Sequence, residues 1–255
     1  MLWVFALVSC MPGTSQEVAM GNDYAQQIER ELPMIRDPEV LRYINQLGNS
    51  IARVVDDRGL TWHFNVVDQA DINAFAVPGG HIYVNRGLIA RTTNMSELAG
   101  VMGHEIAHVT LRHSMKQLAA AERANAGLSV GCIFAPSFCS GAGGVGVQVL
   151  AQAGFAKFSR DDESEADIYG VKYVTRADID PRGIPEMFRI LLKERASNPS
   201  SVSSFFSSHP VEESRIEATE RVIAKTDPII LNTLVSDTPE FQAFKRRLAG
   251  LPQTR

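Results

Sequence analysis

The segment His104-Glu105-Ile106-Ala107-His108 constrains the fold of this chain more than any other, because it asks one helix to present two imidazoles together. An α-helix turns once in about 3.6 residues, so side chains four apart stack on one face and both imidazoles can reach a common ion. H-E-x-x-H on a helix is a zinc-binding pattern whose glutamate serves as general base. Glu105 is rotated away from the ligand pair, which sets its carboxylate beside the ion's open position and leaves it free to take a proton from water. Asn94 and Glu97 stand in capping-box spacing, so the helix is expected to begin near Asn94 and to run to about residue 124.

A catalytic zinc takes three protein ligands and keeps one position open. The acidic run Ser159-Arg160-Asp161-Asp162-Glu163-Ser164-Glu165-Ala166-Asp167 can supply the third, and Glu163 is the expected ligand of a single zinc ion. Asp167 lies four residues further along the same helical face, where it can accept the outer N–H of a ligand histidine. Glu165 is expected to point elsewhere. A charge run of this kind otherwise forms a solvated face, and it is the upstream motif that favours ligation. His113 has no spacing that places it at the ion and is expected on the helix surface.

With 255 residues the chain can bury a substantial core, and one domain over residues 11–255 is expected after a leader at 1–10. A net charge of -4 with no basic stripe excludes a nucleic-acid footprint. Residues 1–8 are apolar, and Leu7-Val8-Ser9-Cys10 resembles a bacterial lipobox, though the leader lacks the usual basic start. A lipid anchor on Cys10 is therefore expected, with Cys132 and Cys139 left as a pair that an oxidising compartment could join.

Helical periodicity marks residues 17–32 and 38–55, the latter through Leu41, Ile44, Leu47 and Ile51. Strand-forming residues fill 61–67, 73–77 and 81–84, the last two flanking Pro78-Gly79-Gly80, so a small antiparallel sheet is expected beside the H-E-x-x-H helix. Gly and Ala dominate 124–156 and interrupt regular structure. Helical patterning returns at 159–174, 185–195, 211–224 and 239–248.

Four blocks then fall in a familiar order: Asn73-Ala-Phe-Ala-Val-Pro-Gly-Gly80 with His81-Ile-Tyr-Val84; Gly103-His-Glu-Ile-Ala-His108 with Arg112-His113; the acidic run ending in Asp167; and Ser208-His209-Pro210 with Arg215-Ile216. Together they resemble the HtpX-like and BepA-like zinc metallopeptidases, family forty-eight of the metallopeptidases. The resemblance implies an α+β, mainly helical zincin-type peptidase domain with one zinc ion and endopeptidase activity. For the envelope branch it further implies a periplasmic setting and misfolded or stalled outer-membrane polypeptides as substrates. It also implies that Asp167 serves His104, and that His209 and Arg215 take part in catalysis. Asn73, Ala74, Phe75 and Ala76 are the candidate edge strand that would hold an extended substrate through backbone hydrogen bonds. Some relatives append a tetratricopeptide domain, and partner docking of that kind is not expected here. A chaperone using the same fold without turnover is the rival class, and the intact Glu105 argues against it.

Overall fold

A computed structural model describes residues 12–124 and 157–253. The leader with Cys10, the pair Cys132 and Cys139, and nearly all of the Gly/Ala-rich segment lie outside these residues. Helix α1 (Thr14–Glu31) and α2 (Pro38–Ala52) come first. The start of α2 is fixed by Asp37, whose side chain accepts from the amides of Glu39 and Val40, while Pro38 occupies a first-turn position that needs no N–H.

Strands β1 (His63–Val67), β2 (Ala74–Val77) and β3 (His81–Asn85) form a sheet in the order β1-β3-β2. The fold class is the α+β, mainly helical one expected, but the sheet is mixed where an antiparallel one was anticipated. The Pro78-Gly79-Gly80 turn makes β2 and β3 antiparallel, and Gly79 and Gly80 take φ of 83° and 103° there, a region that side chains disfavour. β3 then inserts between its hairpin partner and β1, with which it runs parallel. Alternation along a strand reports its faces and not its neighbours, so the insertion left no mark in the sequence pattern.

After α3 (Arg86–Arg91) come α4 (Met95–Thr110) and α5 (His113–Ala124). The single helix expected over 94–124 is thus two, broken at Arg112, whose φ is 59°. A non-glycine residue in that region needs compensation, and the Arg112 guanidinium has it: Nε donates to Glu17 at 2.8 Å, and Nη2 donates to the Pro12 carbonyl. Among the described residues the remaining helices are α6 (Arg160–Arg176), α7 (Gly183–Ser197), a 3-10 turn at Pro199–Val202, α8 (Ser203–Ser208), α9 (Glu213–Ile223), α10 (Pro228–Leu231) and α11 (Pro239–Gly250). Ser159 opens α6 with a capping box, bonding reciprocally with Asp162. No helix among the described residues is long and apolar enough to cross a membrane.

Helix α4 is the axis of the fold, buried at every residue from Met95 to Val109. Such complete burial follows from its neighbours, since α2, the sheet, α6 and α7 all pack against it. Leu98, Met102 and Ile106 share the main core with Ile44 and Ile51 of α2 and with Val171 and Val174 of α6. Under α1 a smaller cluster of Tyr24, Ile28, Phe75 and Tyr83 seals the opposite face of the sheet. α4 and α6 cross closely because Gly103 and Gly170 meet there: a Cβ on Gly103 would stand 2.9 Å from Val174 Cγ1. That close crossing brings the acidic run to the histidines.

Candidate metal centre

The α4 register delivers His104 and His108 on one face, and their Nε2 atoms lie 3.0 Å apart. From α6, Glu163 approaches both: Oε2 is 3.6 Å from His104 Nε2, and Oε1 is 3.5 Å from His108 Nε2. His209, just after α8, joins them with Nδ1 2.8 Å from Glu163 Oε1 and 3.5 Å from His104 Nε2. All four side chains are buried, and their candidate donor atoms lie within 4.8 Å of one another. Imidazole nitrogens and a carboxylate oxygen crowded into so small a buried space suit a shared divalent cation, and nitrogen donors with one carboxylate are a zinc-type set.

Glu105 lies next to this group with both carboxylate oxygens buried and without a hydrogen-bond partner among the described residues. Its Oε1 is 3.6 Å from His209 Nε2. Burial pushes the Glu105 carboxyl above the ordinary carboxylate range, against the opposing pull of His209 and His104. A carboxylate so placed is suited to accepting a proton.

Behind the donors, His104 Nδ1 approaches Asp167 Oδ1 at 3.0 Å. Arg215 of α9 clamps Asp167 in bidentate fashion, with Nε donating to Oδ2 at 2.8 Å and Nη2 to Oδ1 at 2.7 Å. The same guanidinium reaches Glu163 Oε2 at 2.6 Å and donates to the Pro210 carbonyl at 2.8 Å. Burial works to raise the Asp167 carboxyl, but Arg215 and His104 outweigh it and hold the group below its usual range. Glu163 is likewise held well below that range, its burial outweighed by His209, His104 and His108. Arg215 therefore bonds both carboxylates, the donor Glu163 and the Asp167 that backs His104.

His113 is the residue that sequence reasoning misplaced. It is fully buried, not on the helix surface, with Nδ1 2.9 Å from His108 Nδ1 and Nε2 3.1 Å from Glu165 Oε2. Glu165 points away from the four donors, as expected, and meets His113 instead. Spacing could not find them, because the break at Arg112 alters the face on which His113 emerges. The one signal was the Arg112-His113 dipeptide among the blocks.

Among the described residues β2 is an edge strand. The Asn85 amide donates to the Asn73 carbonyl at 2.9 Å, so the alternation of an antiparallel pair turns the main-chain groups of Ala74 and Ala76 away from β3. The side chain of Phe75 faces the opposite way, stacking on Tyr83 at 5.0 Å between ring centres, and Asn73 is buried. Of the four expected substrate-binding residues, the alternate pair turns its backbone away from β3; Ala74 is fully buried there and Ala76 half-buried.

Paired imidazoles on one helix, a carboxylate from the next and an unbonded glutamate beside them define the class: this is a metallopeptidase domain. Residues 38–223 match the model of peptidase family M48, and the chain belongs to that family. The Beta-barrel assembly-enhancing protease of Yersinia pestis is 33% identical over 207 residues, covering 79% of this chain and 42% of that protein. Its namesake from Escherichia coli (strain K12) is 29% identical over 242 residues, covering 92% and 49% respectively. Metalloprotease YcaL of the same strain is 30% identical over 179 residues, covering 67% of this chain and 63% of its own length. The chain thus spans about half the length, or less, of the two beta-barrel assembly-enhancing proteases.

Proposed function

We propose that this chain is a zinc endopeptidase of the bacterial envelope, acting at the periplasmic face on misfolded or stalled polypeptides and lipid-anchored through Cys10. The observation that carries the catalytic part is Glu105, a buried carboxylate with no hydrogen-bond partner among the described residues, set beside four convergent donors. His104, His108 and Glu163 would hold the ion. When bound, zinc supplies Lewis-acid polarisation of the scissile carbonyl and acidifies a water molecule. Glu105 accepts the water's proton on a carboxylate oxygen and delivers it to the departing amine nitrogen. An extended substrate would lie along β2 at the half-buried Ala76, whose backbone turns away from β3, a mode tolerant of side-chain identity and fitted to unfolded chains. The envelope setting draws support from the similarity to proteases named for beta-barrel assembly.

His209 has two assignments to fill. Its Nδ1 lies among the donors, so it can complete the coordination shell of a resting centre. Once displaced by substrate, its N–H would face the developing oxyanion. Arg215 supports both carboxylates throughout.

The decisive experiment is Glu105→Gln assayed on unfolded casein. Turnover should fall by about 10²–10⁴-fold, the range for loss of a general base, while zinc content stays that of the parent. Chelation should abolish the parent's activity and zinc should restore it. A Glu105→Gln variant that cleaves at the parent rate removes the assigned base.

A further inference from the structure

We propose that His113 is a positioning residue for the metal centre, the middle member of a chain His108–His113–Glu165 that fixes which nitrogen of His108 is free to bind. This rests on reading the four convergent donors as a metal site. His108 Nε2 faces the centre, 3.0 Å from His104 Nε2 and 3.5 Å from Glu163 Oε1. A neutral imidazole that offers Nε2 as a lone pair must carry its proton on Nδ1. That atom is 2.9 Å from His113 Nδ1, which must then accept, leaving the His113 proton on Nε2. From there it is donated to Glu165 Oε2 at 3.1 Å. The carboxylate can only accept, so it sets the direction of the whole chain. With both bonds reversed, His108 would carry its proton on the nitrogen that has to bind the ion.

The backbone is arranged for this contact. His113 follows His108 by five residues, which in an unbroken helix would leave the side chains roughly 140° apart around the axis. The left-handed turn at Arg112 redirects α5 and returns His113 to His108. Arg112 is secured by Glu17, a buried carboxylate of α1 that Arg58 also holds at 2.9 Å. Three segments distant in sequence therefore fix one imidazole on the side of His108 away from the centre. Purely structural packing would not require the matched polarity of two successive hydrogen bonds.

The test uses the full chain, stripped of metal and titrated with zinc against a chromophoric chelator. His113→Leu removes the acceptor and should weaken zinc binding by about 10–100-fold, the usual effect of losing the outer partner of a ligand histidine. His113→Asn, whose amide oxygen falls where Nδ1 stood, should recover most of that loss. Side-chain nitrogen NMR should find the His108 proton on Nδ1 in the parent and in His113→Asn, and a mixture of tautomers in His113→Leu. Should His113→Leu fail to fold, Glu165→Gln provides the same reading, because an amide no longer sets the direction of the chain and the tautomer should again become mixed. Parent-like zinc affinity and an unchanged His108 tautomer in these variants would overturn the proposal. His108→Ala is the control: if it binds zinc as the parent does, the metal-centre reading fails first and takes this inference with it.

Discussion

Two imidazoles from one helix face the same centre, yet they are backed in different ways. Behind His104 the support is short and wholly interior: Asp167, about 6% exposed, with Arg215 locking its far side. Behind His108 it is longer and leads outward, through His113 to Glu165, which is 43% exposed and lies 3.6 Å from Lys116 Nζ. Buried charges interact in a low effective dielectric and are costly to leave unpaired, whereas exposed ones are screened. The His104 support should therefore be strong and indifferent to the medium, and the His108 support weaker toward its outer end. One imidazole is held by an ion pair the interior cannot do without, the other by hydrogen-bond direction.

Removing Arg215 gives the largest test of this contrast. Arg215→Ala leaves Glu163 and Asp167 buried without their cation, and breaking a buried pair on one side costs about 3–5 kcal/mol. Urea unfolding of the metal-free protein should show that loss. Saturating zinc should return part of it, because binding to the folded state alone stabilises and a divalent ion supplies the missing positive charge. A loss below about 1 kcal/mol would mean that the interior support is not electrostatically tight, and the contrast would dissolve.

Next in size is Asp167→Asn, which keeps the shape of the acceptor and removes its charge. Zinc affinity should fall toward the upper end of a range of about 10–100-fold in chelator competition, beyond the loss expected for His113→Leu, because a buried charge is removed as well as an acceptor. Equal losses would mean that both supports act by fixing a tautomer. A much larger loss at Asp167 would mean that charge, not direction, matters behind His104. No change at all would remove Asp167 from the centre.

The two supports were unequally legible in the sequence. His104, His108, Glu163 and Asp167 obey four-residue spacings on helices, and helical geometry alone foretold that each pair would share a face. What had to be supplied was the close α4–α6 crossing, and Gly103, preceding the motif, was its faint trace. His113 and Glu165 obey no such spacing. Their meeting depends on Arg112 adopting a left-handed conformation, and that depends on Glu17, which is 95 residues away along the chain. Local propensity favours continuing the helix through Leu111 and His113, so a tertiary contact overrode it. The mixed sheet escaped for a similar reason, since strand insertion is decided by packing between elements and not within them. His209 and Arg215 were reached only through the resemblance, as neither stands at a spacing that geometry can interpret.

The smallest expected effect lies at the outer end of the His108 support. Lys116 and Glu165 are about half exposed, and ion pairs of that kind contribute about 0–1 kcal/mol. Lys116→Ala should therefore change zinc affinity by less than about threefold at 0.1 M salt, since Glu165 remains to accept from His113. Even that difference should vanish at 1 M salt, where the screening length shrinks to about 3 Å, shorter than the Lys116–Glu165 separation. The Asp167→Asn penalty, generated inside the protein, should persist through the same salt series. Parallel titrations of the two variants would thus separate the supports by medium alone, and a Lys116→Ala effect that survived high salt would place the His108 support in the interior after all.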